Sequence, residues 1–250
     1  MVRLLALPGF GDTFGTGDAE SFCRRLELKL GVAVRCLHPP CRDGMAAWML
    51  GDQEPAGLLV GWATPKEVPE TLGWPSWEVD ILESLELLEK AWHTERFDGL
   101  LGFSQGALMA LIFLRVLQSR QEPPPFLVLA SGFAKPLPTQ ALPYLPPSEP
   151  LKVASLHVYS EEDLIVRSLR SRELRDLFED AEVYVHPHGH SFPEPTACEE
   201  GRDSAQPLHH GAESLEMADL SLETQRFQAV YCRITSFGSP CTVATVAGSR

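Results

Sequence analysis

An α/β fold built on a doubly wound, mostly parallel sheet is predicted by three features of the chain. Short, continuously apolar runs that end in glycine or proline turns read as buried strands. These runs alternate with segments whose apolar residues recur at helical spacing. One such segment, residues 105–118, is apolar nearly all round, as a helix packed against a sheet must be.

Taken in order, residues 2–7 form a first strand that runs into the loop Pro8-Gly-Phe-Gly11. Asp18 is placed to cap a helix in which Phe22, Leu26 and Leu30 share a face and Gly31 supplies the stop. Residues 32–37 make a second strand, cut off by Pro39 and Pro40. Residues 41–77 are poorly periodic and hold Trp48, Trp62, Trp74 and Trp77, so they read as an insertion with loops, either a satellite hydrophobic cluster or a wall over an acyl site. Ile81, Leu85, Leu88 and Trp92 mark the next helical face. Residues 99–103, 126–130, 154–159 and 181–185 are further strands, and residues 168–178 a further helix. Beyond Pro195 the chain turns acidic and weakly patterned, with one terminal helix expected over residues 212–227 and a flexible end. The expected organisation is one domain over residues 1–195 and a tail over 196–250.

Composition narrows the class. With 44% apolar and 22% charged residues, the 250-residue chain can bury a substantial core. A net charge of -13 and the lack of a strong Lys/Arg cluster argue against a broad nucleic-acid footprint. Six scattered cysteines without a CxxC pair read as free thiols in a reducing compartment. No apolar stretch approaches a membrane span, so stable membrane insertion is not expected.

The chemistry centres on Gly102-Phe-Ser-Gln-Gly106, a G-x-S-x-G placed between a predicted strand and a predicted helix. In that setting Ser104 is a candidate nucleophile on a strained turn, and the flanking glycines let strand and helix approach. A serine nucleophile needs a base and an orienting carboxylate, found later in such chains as acid and then histidine. Asp163 and His190 each follow a strand at the sheet edge where ligands bind. Glu161 and Glu162 are rival acids, and Asp98 is expected to close a turn. The alternating His186-Pro-His-Gly-His190 also invites a metal reading, but no acidic or cysteine partner with ligand spacing accompanies it. His38, His93, His157, His209 and His210 lack a motif and default to structural or surface roles. For an oxyanion, Gln105 supplies the backbone N–H after the nucleophile; Phe10 supplies the second, because Pro8 has no N–H to give. Trp62, Trp74 and Trp77 are candidate substrate-binding residues.

These residues resemble the FSH family of serine hydrolases over about residues 1 to 195. The most specific part is Phe97-Asp-Gly-Leu-Leu-Gly-Phe-Ser-Gln-Gly-Ala107, supported by Leu5 to Phe10, Gly61-Trp62, Ser131-Gly-Phe133, Leu156 to Val158, and Gly189-His190 followed by Pro193. The resemblance implies an α/β-hydrolase that cleaves carboxylic esters, often of longer chains, without a cofactor, with Ser104, Asp163 and His190 as triad. It implies a cytoplasmic location, the nucleus being a second compartment consistent with it. Arg167 stands where the family carries proline, His188 where it carries glycine, and the 55 residues from Thr196 have no recognisable counterpart. The expected function is therefore a serine esterase for medium to long chain substrates, with small-molecule esters as partners. A thioesterase for acyl carriers or acyl proteins, and a hydrolase-fold binding protein with impaired chemistry, are the alternatives.

Overall fold

The computed structural model describes residues 1–15, 17–42, 60, 61, 81–134 and 149–193. By internal contacts the chain divides into a unit Met1–Phe192 and a second, Pro193–Arg250. Of the second unit only Pro193 is among the described residues, so the expected terminal helix lies outside them. The elements are β1 (Arg3–Leu7), α1 (Ala19–Leu30), β2 (Ala33–Cys36), β3 (Cys41–Arg42), β4 (Val60–Gly61), α2 (Leu82–Thr94), β5 (Gly99–Phe103), α3 (Gln105–Ser119), β6 (Phe126–Ala130), β7 (Ala154–Ser160), α4 (Ser168–Arg175) and β8 (Ala181–His186).

Six strands form one sheet in the order β2-β1-β5-β6-β7-β8, and every pairing in it is parallel. The central strands are short apolar runs because both faces are covered. Leu5, Leu7, Leu100, Leu127 and Leu129 join the core shared with α2, α3 and Leu174 of α4. On the opposite face Phe103 meets Phe14, which stacks on Phe22 of α1 at 4.3 Å, and Phe192 closes edge-on to Phe22. Twelve of the fifteen residues of α3 are buried, which is why its sequence shows no polar stripe. Asp98 locks the first residue of β1 to the entry of β5: its side chain accepts from Arg3 N at 2.8 Å and its N–H donates to Arg3 O at 2.8 Å.

Local signals behave as their chemistry requires. Asp18 caps α1 by accepting from Ser21 N at 2.8 Å, and Gly31 ends it in the left-handed conformation at φ 63°. The helix expected to reach residue 178 stops at Arg175, because the following turn is drawn to another strand-like contact. Leu151 N bonds Leu177 O, Glu179 N bonds Leu151 O, and Phe178 bridges Leu151. The insertion contains a pairing that aperiodic sequence could not announce, β3 antiparallel to β4.

Two buried histidines set a pH limit on this unit. Burial, with Arg175 nearby, pushes His157 down to about 3. Burial and His188 push His186 down to about 4 against the opposing pull of Asp163. Unfolding lets both take a proton near 6.5, so between their folded values and 6.5 the unfolded chain binds more protons and stability falls as pH falls. His186 alone contributes on the order of 3 kcal/mol to that loss. Thermal melts should therefore drop steeply between pH 6.5 and 4.5. His186→Asn, which keeps an acceptor for the His188 N–H, should flatten the drop.

Candidate active site

The sheet reverses its winding between β1 and β5: the chain leaves β1 toward β2 on one side and returns to β5 on the other. In open α/β sheets the crevice beyond the strand ends at such a switch holds ligands. Ser104 follows β5 there, and the loop Pro8 to Gly11 follows β1. Ser104 has φ 52° and ψ -117°, a conformation that a non-glycine residue adopts only under constraint. The constraint is tight packing on both sides. Ser104 N bonds Ala130 O at 2.9 Å, and Ser104 O receives Ala107 N at 3.0 Å to start α3. A Cβ on Gly106 would stand 2.1 Å from Leu7 O, and one on Gly102 2.6 Å from Ala107 Cα.

The structure brings Ser104, His190 and Asp163 together in one hydrogen-bonded line. His190 Nε2 lies 3.1 Å from Ser104 Oγ, and His190 Nδ1 lies 2.8 Å from Asp163 Oδ2. Asp163 is buried, and its other oxygen accepts Ile165 N at 2.9 Å and Val166 N at 2.8 Å. Burial alone would raise its carboxyl. The His190 bond and charge and the Val166 N–H outweigh that and hold it below the ordinary carboxylate value. The Phe103 ring packs against the imidazole at 4.9 Å between centroids.

The rival acids point elsewhere. Glu161 is exposed, accepts from Ser168 Oγ at 2.6 Å and pairs with Arg172, and these partners hold it low. Glu162 is exposed. His186 and His188 stack on each other at 5.7 Å, and among the described residues no group of three or more His, Cys, Asp or Glu side chains is gathered for a metal. Cys23 and Cys36 are buried free thiols, and the Cys36 contact together with burial drives the Cys23 thiol up.

In the loop expected to supply an oxyanion donor, Gly9 N is committed to Thr13 O at 2.7 Å, so the loop's next N–H is that of Phe10. Gly9 lies against Ser104: a Cβ there would meet Ser104 Cβ at 3.2 Å. Gln105 opens α3, whose N-terminal end carries partial positive charge. Trp62, Trp74 and Trp77 lie outside the described residues. His38, expected in a structural or surface role, turns its two ring nitrogens to Asp12 Oδ2 at 2.7 Å and Glu20 Oε1 at 3.1 Å. Partial burial pulls it down, but those two carboxylates prevail and raise it. It clips the loop after β1 to α1, a link between residues 26 and 18 positions apart that no local motif announces.

A six-stranded parallel sheet with a strained serine turn at its switch point is the architecture of an α/β-hydrolase. More narrowly, the chain belongs to the FSH1 family of serine hydrolases, which residues 1–200 match. An esterase of Aedes aegypti is 37% identical over 206 residues, 77% of this chain and 70% of its own. Esterase OVCA2 of Bos taurus is 29% identical over 212 residues, 77% of this chain and 90% of its own. The chain spans about half the length, or less, of other insect esterases it matches, between 38% and 47%. Among solved structures SOBER1 of Arabidopsis thaliana shares the fold, with a TM-score of 0.55 at 15% identity over 95% of this chain and 99% of its own.

The glycine contacts yield a direct test. Gly106→Ala forces a methyl into the carbonyls of Leu7 and Pro8, both backbone, and should cost several kcal/mol or prevent folding. Gly31→Ala meets nothing within 4 Å and should cost only about 1 kcal/mol, for its left-handed φ. Denaturant titration of the two variants should separate them clearly.

Proposed function

We propose that the chain is a serine esterase that transfers the acyl group of a carboxylic ester to Ser104 and then to water. The observation that carries this reading is the unbroken line Ser104 Oγ, His190, Asp163 at 3.1 and 2.8 Å, set on a positive-φ turn at the sheet's switch point. His190 Nε2 takes the serine proton as Oγ attacks the carbonyl carbon, then returns it to the leaving alcohol. Asp163, charged and bonded to Nδ1–H, holds the reactive tautomer and stabilises the imidazolium. The N–H groups of Phe10 and Gln105 are assigned to the tetrahedral oxyanion. Deacylation repeats the cycle with water as nucleophile, and the atoms balance without a cofactor. A thioester would pass through the same steps with a thiol leaving.

The triad reading predicts that Ser104→Ala abolishes ester turnover and labelling by a fluorophosphonate while leaving the melting profile intact. Asp163→Asn should lower kcat by roughly 10³–10⁴-fold through the wrong tautomer. Glu161→Gln should change it little. Failure of the wild-type protein to react with the probe would favour a binding protein on a hydrolase scaffold.

The substrate proposed is an ester of medium to long chain. Leu164 and Ile165, directly after Asp163, are 91% and 62% exposed, so apolar surface borders the acid side of the site. Each methylene held on apolar surface contributes up to ~0.8 kcal/mol to transition-state binding. Measured below micelle concentrations, kcat/KM should climb severalfold per carbon and then level off, with acetyl esters poor. A flat or falling profile would remove the apolar-site reading.

A further inference from the structure

The nucleophile follows β5 and the acid follows β7; the strand between them, β6, ends in Ser131. Three features single this residue out. It is fully buried, with no exposed surface. Its backbone has φ 43°, one of four positive values among the described non-glycine residues, another being Ser104 itself. Its hydroxyl has no hydrogen-bond partner among the described residues. A sealed, unbonded hydroxyl and a strained backbone are both costs, and neither is needed merely to end a strand. Glycine would take the same φ without strain or an orphaned oxygen.

The main chain fixes where Ser131 sits. Ala130 O, one peptide before Ser131, holds Ser104 N at 2.9 Å, and Ser131 N bonds Val158 O of β7 at 2.8 Å. Gly132 O receives Ser171 Oγ of α4 at 2.9 Å, so the turn is pinned on both sides. Asp163 leaves the end of that same β7 three residues after Ser160, and its buried carboxylate already accepts Ile165 N, Val166 N and His190.

We propose that Ser131 is a positioning residue: its hydroxyl serves as a donor to the Asp163 carboxylate and keeps it aimed at the imidazole when His190 takes the serine proton. The inference rests on the triad reading. Ser131 touches neither substrate nor nucleophile in this role, and it acts through Asp163 alone.

The test compares Ser131→Ala with Ser131→Gly in the full chain. Both remove the hydroxyl, but glycine also relieves the positive φ, so the glycine variant should melt no lower than the alanine one. Both should lose about tenfold in kcat on a soluble short-chain ester, with KM within twofold of wild type. In both, the acid limb of kcat/KM should move to higher pH, because a carboxylate with one donor fewer holds the imidazolium proton more tightly. A folded Ser131→Gly protein with wild-type kcat and an unmoved acid limb would overturn the proposal. Fluorophosphonate labelling of the wild type separates the two levels: no labelling refutes the triad, whereas labelling with unchanged Ser131 variants refutes this inference alone.

Discussion

The close approach of α3 to the end of β1 is the constraint on which the rest of the site depends. Gly106 lets the first turn of the helix sit directly on the carbonyls of Leu7 and Pro8, and Gly102 lets the strand lie against Ala107. With no room for a side chain on either flank, the connecting residue must turn within a single peptide, and Ser104 carries the resulting φ of 52°. The same contact brings the loop after β1 alongside Ser104, so that its hydroxyl and the Gly9 backbone lie close together. Strain at Ser104 is tolerated because the burial of α3 and the pairing of β5 on both edges over-determine it.

Around that point the rim of the sheet divides the electrostatic labour by strand. The loop after β7 supplies a buried carboxylate whose two oxygens are both engaged, which offsets the cost of placing a charge where solvent is thin. The imidazole between carboxylate and serine is pressed by Phe103, itself part of the aromatic cluster with Phe14, Phe22 and Phe192. Packing on the α1 face of the sheet therefore reaches the His190 ring.

The loop after β1 serves both ends of the line. Its first part bears the Phe10 N–H, and its later part braces the histidine: Phe192 N bonds Phe14 O at 2.8 Å, and Gly15 lies so close that a Cβ would meet His190 O at 2.7 Å. His38 fastens the middle of this loop to α1 through Asp12 and Glu20. These contacts are half exposed, so their worth is modest and depends on ionic strength. Their value is geometric, holding a loop with several positive-φ residues in one conformation.

The sequence by itself determined the strands, their helices and the elbow, because each rests on a local rule. Buried parallel strands need apolar runs, Asp18 and Gly31 have capping chemistry, and a glycine-flanked serine between strand and helix has few other uses. It also placed His190, and a run of three acids, just beyond strand ends. What it could not decide was anything set by partners distant in the chain. Three acids within three residues, Glu161, Glu162 and Asp163, look alike as letters, and only folding turns one inward to His190 while Arg172 and Ser168 take Glu161. The early stop of α4, the Asp12–His38–Glu20 link and the buried hydroxyl of Ser131 belong to the same class. Tertiary structure decided them because burial, register and hydrogen-bond direction are properties of pairs of residues, and the pairs are made by the sheet.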